Sequence, residues 1–131
     1  VVAIIASMAM VAFPIYNEQT RKGRRAEAKE ALAKIALGQE KWRMNNAGYS
    51  TALAEVGATS PTVSGYYTLA ITNSTAGNCA NGTARTTGNN YTITATKAGD
   101  QVSDSKCATM VLTNDCGAIT KTSTPAGTEC W

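Results

Sequence analysis

With 131 residues, one Phe, two Trp and five Tyr, the chain has room for one modest domain and few large side chains to fill its core. A formal net charge of only +3 argues against a broad nucleic-acid coat, and the absence of histidine removes the usual general base and the commonest zinc ligand. No Gly-x-Ser-x-Gly elbow, phosphate loop or calcium-loop pattern occurs, so the chain reads as non-enzymatic, without a metal, cofactor or small-molecule substrate.

The first element, Val1 to Tyr16, is uncharged and runs without a loop into a charged helical stretch, which implies one continuous helix. At ~1.5 Å per residue it reaches about 24 Å, short of the ~30 Å hydrocarbon layer of a bilayer. Val1 is not an initiator methionine, so the expectation is a segment cut at its start. A signal peptide fits less well, because no basic region precedes the apolar run and no small-residue cleavage site follows it. The arm suits a membrane anchor, or a filament core in which copies bury it against one another. Its candidate assembly residues are Val1, Val2, Ile4, Ile5, Ala6, Met8, Phe13, Pro14 and Tyr16. Pro14 removes one helical hydrogen bond and crowds the preceding turn, at about 3 kcal/mol in a regular helix interior, so a kink or local melting is expected before it.

Beyond the arm, Glu18, Arg21, Lys22, Arg24 and Arg25 form a charged cluster. It reads as a headgroup-level anchor or solvated helix face in preference to a nucleic-acid site, with Glu18 available to pair with the bases within or between subunits. The helix continues to about residue 46. Ala28, Leu32, Ile35, Gln39 and Trp42 recur at steps of four and three, with Ala31 and Ala36 beside them, and this face should lie on a sheet. Asn45-Asn46-Ala47-Gly48 is a stop signal, and residues 47–64 read as a connecting loop.

Three alternating, strand-like segments follow at 65–72, 90–96 and 107–113, with a shorter run at 117–121 after a turn at Asn114-Asp115-Cys116. Short sequential strands favour an antiparallel meander. The stretch 73–89 is a long exposed insertion. Asp100, Asp104 and Asp115 read as turn residues serving local hydrogen bonds. Lys97, Lys106 and Lys121 read as scattered among the strands, without an aromatic stacking platform. The resulting organisation is an apolar arm, 1–25, and a globular head, 26–131, with the sheet in 65–131.

Cys79, Cys107, Cys116 and Cys130 contain no C-x-x-C spacing, which favours two disulfides and an oxidising compartment. Four cysteines permit three connectivities. Cys107 with Cys130 and Cys79 with Cys116 is the favoured pairing, because the first bridge would tie the C-terminus back to a strand.

The run Val-Val-Ala-Ile-Ile-Ala, Pro14, Tyr16 and Arg24-Arg25-Ala26-Glu27-Ala28 resemble the N-terminal helix of a bacterial type IV pilin. Gly65-Tyr66-Tyr67, Ser105-Lys106-Cys107 and Cys130-Trp131 resemble pilins of the PilE type, major or minor. The resemblance implies an α+β ladle fold: a long helix packed on a four-stranded antiparallel sheet, closed by a C-terminal disulfide. It also implies an anchor in the inner membrane before assembly, then an extracellular filament of this chain and other pilins serving motility, adhesion or DNA uptake. The family's leader, methylated residue and assembly glutamate would lie before Val1. A minor pilin or type II secretion pseudopilin is the alternative, and a membrane-anchored binding module a further one. Host surface and DNA are the candidate ligands of the head.

Overall fold

Good helix formers continue the apolar run, and α1 (Val2–Arg43) is an α-helix of 42 residues with Pro14 inside it. The computed structural model describes residues 2–127 and 129–131, so Val1 of the expected arm lies outside the described residues, as do the side chains of Val2 and Ala6. The helix runs unbroken through Pro14 in the isolated chain, with the turns on both sides helical. Ile4, Ile5, Met8, Phe13, Ile15 and Tyr16 are each at least 60% exposed, so the arm offers a bare apolar surface. Among the described residues no helix is long and apolar enough to cross a membrane.

The second half of α1 buries Ala28, Leu32 and Ile35 against a four-stranded antiparallel sheet. The strands are β1 (Tyr67–Thr72), β2 (Asn90–Lys97), β3 (Thr109–Asp115) and β4 (Ala118–Thr124), paired in chain order. Alternation sends Leu69, Ile71, Ile93, Ala95, Met110 and Leu112 inward, where Tyr67 and Tyr91 are buried with them. Tyr49 meets Tyr91 edge to face at 4.7 Å. The result is an α+β pilin-like fold.

Gln39 belongs to the buried helix face although it is polar. Its amide donates to the Ser50 carbonyl at 2.6 Å and accepts from the Ser50 amide at 2.9 Å, clamping the start of the loop to the helix. That loop contains a short 3₁₀ turn, Leu53–Val56, which the sequence reading left as plain loop. The Val56 carbonyl presses on Gly38, where a Cβ would have no room.

Most strand boundaries shift by one to three residues from expectation, and two of the larger shifts lie at the C-terminal ends of β3 and β4. β3 runs on through Asp115, because Asn114 and Asp115 pair with Ile119 and Ala118, and the reversal falls at Cys116 and Gly117, both with positive φ. β4 extends to Thr124, and Pro125 ends it. The outward face of the sheet is lined by threonines, with Thr68, Thr96, Thr109 and Thr124 in one cross-strand row and Thr72, Thr92, Thr113 and Thr120 in another. Two disulfides close the C-terminal half, Cys79–Cys116 and Cys107–Cys130.

Candidate functional site

A step of three back from Ala28 continues the alternating series and places Arg25 on the buried face. Arg25 is 1% exposed and Asp104 0% exposed, and Arg25 Nε and Nη2 donate to the two Asp104 oxygens at 2.7 and 2.8 Å. Gln101 Nε2 and the Lys106 amide also donate to this carboxylate, at 2.7 and 3.0 Å, and Lys97 Nζ donates to the Asp104 carbonyl at 2.9 Å. Burial alone would raise the Asp104 carboxyl, but the Arg25 hydrogen bonds and the Lys106 amide outweigh it and hold the group below the usual carboxylate range. Asp104 does serve local hydrogen bonds, from Gln101 and the Lys106 amide, but it also anchors a long-range ion pair, and Arg25 is not part of a solvated face. The ion pair fastens the helix to the segment just before Cys107.

The rest of the expected charged cluster is dispersed. Glu18 lies 3.7 Å from Arg25 and 3.4 Å from Lys106 Nζ, which also reaches Glu129 at 3.0 Å. Arg21 donates to the Ser103 hydroxyl at 3.3 Å, and Arg24 stacks over the Tyr66 ring at 4.4 Å. Lys22 is exposed. These contacts tie the helix to the β2–β3 connection and to the entry of β1.

The 73–89 insertion is held at several points. Asn90 donates to the carbonyls of Ser74 and Thr86, both at 2.6 Å, and Cys79–Cys116 joins the insertion to the β3–β4 turn. Arg85 Nε reaches Asp115 at 2.9 Å, so Asp115 is a strand residue whose carboxyl is lowered chiefly by the Arg85 hydrogen bond. Cys79, Asp115 and Cys116 are the one group of potential metal ligands among the described residues, and there the two sulfurs are bonded to each other.

Cations do meet aromatic faces, contrary to the sequence reading. Arg43 lies 4.6 Å from the Tyr49 ring centroid while donating to the Gly88 carbonyl, and Lys121 Nζ lies 5.2 Å from that of Trp131. Trp131 Nε1 donates to the Thr122 carbonyl at 2.8 Å, which fixes the indole against β4. β4 is an edge strand, mostly exposed and without an acidic residue, and Lys121 has no carboxylate partner among the described residues. Arg85 drew no attention in the sequence, and Trp131 entered only as part of the Cys130-Trp131 resemblance, with no binding role. The register that brings Trp131 to Lys121 depends on the Cys107–Cys130 bridge next to it.

A long helix with a bare apolar N-terminal half, packed on a disulfide-closed antiparallel meander, defines a type IV pilin subunit. The sequence profile of the family described as type IV minor pilin ComP, DNA uptake sequence receptor, matches residues 14–111, about three quarters of the chain, and the protein belongs to that family. No curated protein matches the chain in a direct sequence comparison. Membership makes it a pilus-associated extracellular protein.

Proposed function

We propose that this chain is a minor pilin that enters a type IV pilus through its apolar arm and captures duplex DNA along edge strand β4. The observation that carries the DNA reading is the Lys121–Trp131 pair on an uncovered, acid-free strand. The family's description as a DNA uptake sequence receptor supports it independently. The matched span ends inside β3, so the Lys121–Trp131 pair lies beyond it and rests on geometry.

Two further cations extend the line. Arg85 sits by Asp115, whose strand partner is Ala118, and Lys106 precedes β3 beside the opposite end of β4. At about 3.3 Å per residue, Ala118 and Lys121 lie about 10 Å apart along the strand. Arg85 and Lys106 are partly neutralised by Asp115 and Glu129, so Lys121 is the free charge. With so few phosphate contacts, affinity should fall with salt at a log–log slope of only about −2 to −3. Specificity must then come from the aromatic edge and hydroxyls reading the groove, not from bulk charge.

The remaining roles follow from the arm and the bridges. Before assembly the arm anchors the subunit in the inner membrane, with the head in an oxidising compartment outside the cytoplasm. The role is non-enzymatic. Fluorescence anisotropy with genomic fragments from the source organism against unrelated DNA tests the reading. Preferential binding that weakens on Lys121→Ala and Trp131→Ala is expected. Equal, weak binding to both pools would return the chain to a purely structural filament subunit.

A further inference from the structure

A cleft of about 340 Å³ opens on one flank of α1 and is lined by Lys22, Arg25, Lys29 and Glu129. Its three cations are three and four residues apart, so a single helical flank presents all of them.

Arg25 makes the cleft more than a cluster of surface lysines. Its Nε and Nη2 are engaged by Asp104, but its Nη1 is buried with no hydrogen-bond acceptor. The carboxylates of Glu18 and Glu129 stand off at 3.7 and 4.0 Å, beyond hydrogen-bond distance. A buried donor left unmade is costly, and an anionic oxygen arriving in the cleft would satisfy it. Lys22 and Lys29 have no carboxylate partner among the described residues, so their ammonium groups are available to the same anion.

Charge balance and position select the anion. Asp104 neutralises Arg25, Lys106 pairs with Glu18, and Glu129 offsets one of the two lysines, which leaves a single positive charge in excess. A phosphodiester carries a single negative charge and offers free oxygens to all three donors. Lys22 lies about 9 Å beyond Tyr16 at ~1.5 Å per helical residue. With the bare arm in a bilayer and Tyr16 at its interface, that depth reaches the headgroup phosphates.

We propose that the Lys22–Arg25–Lys29 cleft is a phosphate site, filled at the membrane surface by the headgroup of an anionic phospholipid. Arg25 Nη1 donates to one phosphate oxygen from the buried side, and Lys22 and Lys29 close on the group from the solvent side. Glu129, whose side chain is half exposed, swings aside. A zwitterionic headgroup would bring its own cation against the lysines, which favours the anionic lipid. The bound lipid sets the depth and rotation of the subunit before it enters a filament. This inference rests on the reading of the arm as a membrane anchor and adds to it the lipid chemistry that the helix recognises.

The test uses the full chain in dodecyl maltoside with equal amounts of phosphatidylglycerol and phosphatidylcholine, and native mass spectrometry identifies the lipids retained. Preferential retention of phosphatidylglycerol is expected. Lys22→Gln and Lys29→Gln should each lower that preference about fivefold, the scale of one basic residue at an anionic membrane surface. Arg21→Gln removes the same charge at nearly the same depth, but Arg21 reaches Ser103 and lies outside the cleft, so the preference should hold. Glu129→Gln should strengthen it by removing the competing carboxylate. All four changes leave the Arg25–Asp104 pair intact, and unchanged thermal melting would show that the variants fold.

Equal retention of the two lipids, or an equal loss with Arg21→Gln, would overturn the site and leave the anchoring arm standing. If the chain also failed to float with phosphatidylcholine vesicles, the anchor reading would fall with it. Inorganic phosphate should bind far more weakly than the lipid, and equal affinity would give the cleft to free phosphate. Protection of Lys22 and Lys29 from acetylation by duplex DNA but not by lipid would give it to nucleic acid, and either result overturns the proposal.

Discussion

Arg25 and Asp104, 79 positions apart in the chain, meet in a two-point ion pair with both side chains closed off from solvent. Removing one partner strands the other charge inside the protein, a loss of about 3–5 kcal/mol, whereas replacing both with apolar residues of similar size costs far less. Asp104→Ala should therefore lower urea-unfolding stability much more than the double change Arg25→Met with Asp104→Leu. Equal losses would mean that the pair's own attraction, not the stranded arginine, dominates.

The same pair fixes the acid limb of stability. Asp104 has a depressed carboxyl in the folded protein, so its contribution is full above the unfolded value of about 3.9 and disappears as pH falls through the lower folded value. Asp104→Asn should start less stable at neutral pH and lose less on acidification. Denaturant midpoints measured from pH 6 to pH 2 for both chains give the comparison, and parallel curves would contradict it.

Tyr91 sets the opposite limb. Burial pushes its phenol up to about 12, with a smaller opposing effect from the Asn114 hydrogen bond. The neutral form is favoured in the fold, so its stabilisation is present below the unfolded value of about 10 and is lost as pH rises towards 12. Burial also raises the Tyr67 phenol, so ultraviolet titration should show two tyrosines that ionise together with alkaline unfolding. Tyr91→Phe should flatten stability between pH 10 and 12.

Local pattern made the helix and the sheet legible. Ala28, Leu32 and Ile35 pack where their spacing put them, and period-two alternation identified β1, β2 and β3, because each encodes its own buried face, whereas exposed β4 reads only as a short run after a turn. The charge network was not legible, since its members come from opposite ends of the chain. Yet half of it was available: one more step of three back from Ala28 reaches Arg25, and a buried arginine demands a carboxylate. Which of the aspartates answered depended on the β2–β3 connection folding under the helix, and no local signal encodes that. Trp131 and Lys121 meet for a similar reason, through a disulfide that closes 23 positions of sequence.

Two glycines of α1 should respond in opposite directions to the same change. Gly23 has nothing within 4 Å of a built Cβ, so Gly23→Ala should stabilise the helix by about 0.5–1 kcal/mol. Gly38→Ala gains the same propensity but drives its methyl into the Val56 backbone, where overpacking costs typically about 1–3 kcal/mol, so a net loss is expected. Thermal melting of the two single variants decides it. A gain at position 38 would mean that the 3₁₀ turn over the helix yields freely.

The two disulfides separate loop length from burial. Cys79–Cys116 closes 37 positions against 23 for Cys107–Cys130, a difference worth only about 0.4 kcal/mol in the chain-entropy model. Cys107 and Cys130 belong to the core, both 0% exposed, and replacing them with alanine adds two sulfur-sized voids at about 1 kcal/mol each. Cys107→Ala with Cys130→Ala should therefore lower the melting temperature more, and should also loosen Trp131 from β4 and weaken DNA binding. Cys79→Ala with Cys116→Ala should show its effect first as faster amide exchange in 73–89, where Arg85 and Asp115 remain as the cross-link. If the longer loop instead proved the more damaging loss, stapling the insertion would outweigh closing the core.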